Sequence, residues 1–139
     1  AKSGYSGISF CLPTEAQWEF AARGGNMSKG YQYSGSNTIG RVAWHCYNTS
    51  TVQPVGRKAP NELGLYDMTG NVSEWCSDWL APYSAAAQSD PTGPDSGELR
   101  VYRDGGIGHT VEACHISNRY GQSSDYNDEA IGLRLVMHE

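Results

Sequence analysis

At 139 residues the chain is long enough to bury a real core without disulfide or metal staples. Charged residues make up 18% and hydrophobic ones 38%, with a net charge of −5 and 17 glycines, a composition that suits a loop-rich globular protein. No cluster of Lys and Arg is present to serve nucleic acid, and no run approaches the roughly 18 apolar residues of a membrane span. There is no signal peptide, yet the sequence opens on Ala1 and not on Met, as a mature or clipped product would, so the compartment stays open.

Four cysteines, Cys11, Cys46, Cys76 and Cys114, are widely spaced with no C-x-x-C, which argues against structural zinc. They permit three full disulfide pairings or buried free thiols, and both remain open. No internal repeat, low-complexity tract or boundary interrupts residues 1–139, which read as a single domain.

In chain order, residues 1–9 are Gly- and Ser-rich and predicted extended. The clearest helix follows: Thr14 is an N-cap, Gln17 three residues on completes a capping box, and Gly24 and Gly25 end it. Its apolar stripe is Trp18, Ala21 and Ala22. Residues 26–62 read as turns and short extended pieces, with 41–44 (RVAW) a short buried segment and Tyr31, Tyr33 and Trp44 as anchors.

The stretch 64–79 (GLYDMTGNVSEWCSDW) is too polar for an ordinary core element and too aromatic for a free loop. Asp67, Gly70, Val72 and Glu74 fall at i, i+3, i+5 and i+7, a spacing by which two carboxylates and two backbone carbonyls converge on a hard cation such as calcium. Trp75 and Trp79 are four apart, so one helical turn would place both on one face. The alternative is a capped turn with its acids in water. Residues 82–99 form a long loop. A strand starts at 100–103 (RVYR), and the alternation of Ile131, Leu133, Leu135 and Met137 with Gly132, Arg134, Val136 and His138 predicts a half-buried strand. Between the strands, residues 107–130 carry the least pattern.

Three segments, 12–25 (LPTEAQWEFAARGG), 60–75 (PNELGLYDMTGNVSEW) and 131–135 (IGLRL), resemble in order and spacing the formylglycine-generating-enzyme (sulfatase-modifying factor) family over almost the whole chain. The resemblance implies an α+β, C-type-lectin-like fold of the formylglycine-generating-enzyme subtype, poor in regular structure, with the family's N-terminal part lacking. It also implies a structural calcium ion at Asp67, Gly70, Val72 and Glu74. Ser73 departs from the pattern, since relatives commonly carry Trp there, which predicts looser packing beside the site.

The catalytic members of that family resemble one another in a pair of cysteines, five residues apart, that binds copper(I). Counting from 104–106, Cys114 falls at the second position and His109 at the first; counting back from Arg119, neither position is Cys. Either way two thiolates are not available and no copper is expected. Cys114 and His115, adjacent on the chain, would point to opposite faces of a strand and make a poor nucleophile–base pair. Metal ligation by His109, Cys114 and His115 lacks any diagnostic spacing. The chain is therefore predicted not to be an enzyme; the alternative is a copper-dependent formylglycine-generating oxidoreductase acting on a sulfatase cysteine.

The framework of 100–103, 114–119 (CHISNR) and 131–136 resembles more closely the spirochaete variable proteins of diversity-generating retroelements, whose C-terminal region is rewritten at adenines, mainly in Asn codons. That implies a variable region over 100–136. Most residues at 108–111, 113, 115, 117, 120–121, 123 and 126–128 are reachable from Asn codons; Glu112, Gln122 and Glu129 are not. Asp104 and Ile107, where relatives carry Gly and Trp, are unexplained by Asn mutagenesis. The implied contact face is Tyr102, Ile107, Gly108, His109, Thr110, Val111, Glu112, Ala113, His115, Ser117, Tyr120, Gly121, Gln122, Ser123, Ser124 and Tyr126. Tyr and Ser are good contact residues, giving large area and adaptable hydrogen bonds. The expected partner is a protein or other macromolecule at a cell surface or in an extracytoplasmic space. Membrane attachment is expected only through a lipid anchor outside this chain.

Overall fold

The capping box at Thr14 sets the first helix. The Thr14 hydroxyl accepts from Gln17 N at 3.1 Å and the Gln17 side chain accepts from Thr14 N at 2.9 Å. Helix α1 then runs Glu15–Ala22 in the computed structural model, which describes residues 7–138. Trp18 and Ala22 are buried with Ala21 packed beside them, and Gly24, at φ +90°, closes the end. The reading of 1–9 as extended lies, for 1–6, outside the described residues; strand β1, Ser9–Cys11, follows them.

Residues 26–62 contribute no strand to either sheet and are held by scattered main-chain bonds and by side chains. Asn61 Nδ2 donates to Ala21 O and Ser34 Oγ, while its Oδ1 accepts from Leu63 N and Leu65 N. The buried segment expected at 41–44 is the end of a one-turn helix, α2, Ile39–Val42, after which Ala43 is fully buried.

Strand β2, Ser73–Trp79, is the centre of the molecule. It pairs antiparallel with β3, Arg100–Arg103, which pairs antiparallel with β4, Arg119–Gln122. On its other edge β5, Ile131–Gly132, lies parallel, giving the order β4-β3-β2-β5. Strand β6, Val136–His138, leaves that sheet and pairs antiparallel with β1.

Two expectations are corrected here. Trp75 and Trp79 sit on a strand, not a helix, and share its outward face because a spacing of four is even. The single half-buried strand over 131–137 is two short strands in two sheets. Its expected inward side is exposed: Leu133 62%, Leu135 53% and Met137 54%. The break falls at Arg134, whose guanidinium is bonded to Glu74 and to Tyr66 O and so turns the chain out of the main sheet.

Two apolar clusters fill the interior. One joins α1 to the sheet through Trp18, Ala22, Met68, Cys76, Val101 and Ile116; the other gathers Tyr33, Val42, Ala43 and Cys114. Between α1 and the sheet lies a buried ion network. The Arg103 side chain is fully buried, paired with Glu15 at 2.7 Å and Glu19 at 2.6 Å, and donates to Ile116 O at 2.6 Å. Arg119 pairs with the same Glu15. Among the described residues, no helix is long and apolar enough to cross a membrane.

Candidate functional site

The turn preceding β2 is built from residues that tolerate left-handed backbone. Asp67, Gly70 and Asn71 have φ of 55°, 79° and 66°. At Gly70 a side chain is excluded twice over, since a Cβ would also sit 2.3 Å from Trp44 O. Asn71 then stitches the neighbouring loops: its N donates to Trp44 O, its side chain exchanges bonds with Gln53, and its O accepts from Ile107 N.

Of the four residues expected to hold a cation, the two carboxylates have protein partners in this turn. Glu74 is buried, accepts from Trp18 Nε1 at 2.7 Å, and is held on both oxygens by Arg134 at 2.9 and 3.0 Å. A carboxylate already matched to a guanidinium and an indole N–H is a poor fit for a calcium ligand. Gly70 donates its N–H to Asp104 Oδ1, a bond that does not use the carbonyl expected to ligate, and Val72 leads into the strand. Asp67 Oδ2 accepts from Gly56 N at 2.7 Å, leaving Oδ1 buried without a partner. Ser73, where looser packing was expected, is buried and donates its hydroxyl to Asp104 O at 3.0 Å.

The expected contact face behaves as a unit. None of its residues is buried, whereas those interleaved with them are: Val101, Arg103, Cys114 and Ile116. Its backbone is pinned from below by Ile107 N to Asn71 O, Cys46 N to His109 O and Ile116 N to Gln32 O. Across the sheet, Trp75 faces Tyr102 and Tyr102 faces Tyr120 as direct cross-strand partners. Their rings are edge-on at 5.8 Å and stacked at 5.3 Å, and His109 lies against Tyr120 at 5.5 Å. Burial pushes the Tyr102 and Tyr120 hydroxyls up, so both stay protonated. His115 packs edge-on against Tyr33 at 5.2 Å and accepts from the Gln32 amide.

Gly121 is a correction. It alternates with Tyr120 and Gln122 on β4, so its position faces the other side of the sheet, where a Cβ would lie 2.4 Å from Leu80 Cδ2. It belongs to the packing and not to the contact face. Trp75, by contrast, was missed. Strand parity would have exposed Trp75 had β2 been read as a strand.

All four cysteines are free thiols, Cys11 and Cys46 exposed, Cys76 and Cys114 buried. Burial pushes the Cys114 thiol up to about 12, and its Sγ donates to Gly105 O at 3.2 Å. His109 Nδ1 is buried without a partner. Among the described residues, no three His, Cys, Asp or Glu side chains gather where they could hold a metal ion.

A capped helix, a Trp-rich strand and a loop-borne face on a small mixed sheet define a class. Residues 3–139 match the sulfatase-modifying factor enzyme 1-like domain, and the chain belongs to that family. Its fold is the α+β, C-type-lectin-like arrangement of that family. Among solved structures it is similar to Treponema denticola variable protein 1, with a TM-score of 0.83 and 39% identity over 91% of this chain and 46% of that one. Among curated proteins it is 39% identical to the formylglycine-generating enzyme of Streptomyces coelicolor, over 87% of this chain and 43% of the relative. It is also 37% identical to the chaperone protein LppX of Paenibacillus barcinonensis, over 90% of this chain and 48% of the relative. The chain spans less than half the length of each of these three.

Proposed function

We propose that the chain is a ligand-binding module, not an enzyme, whose face from Tyr102 to Tyr126 is rewritten by a diversity-generating retroelement and meets a macromolecule at a cell surface or in an extracytoplasmic space. The observation that carries this reading is the separation of side chains: every residue of the face is at least partly exposed, and the residues the fold needs alternate with them in the interior. Similarity to a variable protein at a TM-score of 0.83 supports it. A face of this kind accepts new side chains at little cost, because exposed positions outside the packing usually change stability by about 0.5 kcal/mol or less.

Replacing Thr110, Val111, His115 and Ser117 together with other residues reachable from Asn codons should leave the melting temperature within a few degrees of the parent. Collapse of the fold would count against the reading. The gene carries a second test: codons 100–136 should have a near-copy beside a reverse transcriptase, differing only at adenines. Without such a copy the diversification claim fails, while binding by a fixed face survives.

A formylglycine-generating oxidoreductase is the second reading, supported by the 39% identity to that enzyme. Against it stands the protonated, buried Cys114 with His109 five residues before it. A mass change on a sulfatase cysteine peptide incubated with this protein, copper and oxygen would favour it.

A further inference from the structure

The contact face has a one-sided chemistry. A ladder of half-buried rings, Trp75, Tyr102, Tyr120 and His109, crosses it from the central strand into the loop. The exposed charged side chains of 104–130 are all carboxylates: Glu112, Asp125, Asp128 and Glu129. The basic residue of that stretch, Arg119, is turned inward against Glu15 and Ala81 O. Asp104 lies beneath, fully withdrawn from solvent.

Ring faces carry the negative end of a quadrupole, and a cation over a partly desolvated ring is attracted more strongly than one at an open surface. A rim of one sign steers the opposite charge toward the rings and repels partners of its own sign. Beside the ladder, Trp75 also lines a groove of ≈ 1000 Å³ shared with Phe20, Pro91, Arg100 and Ser124. Within it Arg100 is already laid over Trp79 at 3.5 Å. A free small cation would leave this groove empty, whereas a chain segment can place a cation on the rings and a neighbouring apolar residue in the groove.

We propose that the partner is a polypeptide that sets a Lys or Arg side chain over the Tyr102–Tyr120 stack, with Trp75 as a contact supplied by the frame and unchanged when the face is rewritten. This rests on the binding-face reading above. The aliphatic stem of such a side chain covers apolar ring surface while its head meets the carboxylate rim.

The test pans a random linear-peptide library against the immobilised chain and measures the recovered peptides in solution. Enriched peptides should carry an excess of Lys and Arg and weaken as salt rises. Tyr120→Ala, checked for folding by circular dichroism, should weaken them about tenfold. The combined variant Glu112→Gln, Asp125→Asn, Asp128→Asn and Glu129→Gln should weaken them and flatten the salt dependence. Neutral or acidic peptides that still depend on Tyr120 would overturn the charge assignment and leave the face standing. Binding indifferent to both Tyr102→Ala and Tyr120→Ala would overturn the face itself. Recovery of nothing above a carrier-protein control would refute a polypeptide partner.

Discussion

Asp104 is where the frame hands over to the contact face, and its protonation can be read out directly. It sits at φ +70° just after β3 and is 1% exposed. Its Oδ1 accepts from Gly70 N at 2.8 Å, and Oδ2 has no partner. Burial pushes its carboxyl well above the usual carboxylate range; the Gly70 and Gly105 N–H groups pull back, and the charge of Glu74 pushes further up. Asp104→Asn keeps the size, the acceptor for Gly70 and the tolerance of left-handed backbone, and removes only the titration. At low pH the Asp is neutral in both states, so the two proteins should be nearly equal in stability. As pH climbs past the unfolded value of about 3.9, the unfolded Asp ionises while the folded one resists. The parent then loses stability by up to about 1.4 kcal/mol per pH unit until the folded pKa is reached. The Asn variant has no such loss, so a gap opens in its favour, worth roughly 3 °C per kcal/mol in a domain of this size. Thermal melts of both proteins between pH 4 and 8 check this, and the groups common to both cancel in the difference. A gap that stays constant with pH, or an Asn variant less stable at neutral pH, would refute the reasoning.

Three further outcomes are expected. Gly121→Ala should cost about 1–3 kcal/mol, because its Cβ would meet Leu80 and the sheet would be overpacked; Gly108→Ala, with nothing within 4 Å, should be silent in the same urea titration. In the native protein a thiol reagent should label Cys11 and Cys46 quickly, and Cys76 and Cys114 only after denaturant, since burial raises both of the latter. With Glu74 bonded to Arg134 and Trp18, calcium and chelator should leave the melting temperature unchanged. A rise with calcium would mean that Arg134 gives way to the cation, because a ligand of the folded state alone must stabilise it.

What could be read from sequence was local. Thr14 and Gln17 are three residues apart, and their reciprocal bonds formed as the pattern implied. The same holds for Trp18 and Ala22, one turn apart on α1. The partner of Glu74 is Arg134, sixty residues away, and no spacing within 64–79 could announce that a guanidinium would occupy its oxygens. The alternation over 131–137 was real, yet alternation does not say which sheet a strand joins. Arg134 divides that run between two sheets and leaves Leu133, Leu135 and Met137 outside. Asp104 showed in sequence only as a departure from a glycine. Its left-handed φ explains why Gly or Asp can stand there when most residues cannot.

The division between frame and face is a matter of parity, with leaks at His115, whose ring accepts from the Gln32 amide, and at Tyr120. Val101 and Arg103 point inward while Tyr102 points outward; Cys114 and Ile116 point inward while His115 and Ser117 point outward. The loop is held by Arg103 on Ile116 O and by main-chain bonds from Asn71, Cys46 and Gln32, none of which involves a face side chain. Tyr120 breaks the pattern, since its hydroxyl donates to Ala113 O at 3.0 Å across the loop while its ring stacks on Tyr102. Replacing it therefore removes a contact and loosens the segment that carries the others. Tyr120→Phe separates the two: it keeps the ring and loses the bond, so affinity should hold for any partner that reads the ring, while hydrogen exchange at 110–113 should quicken. If exchange there is unchanged, the loop owes its order to the interior alone and Tyr120 is as replaceable as its neighbours.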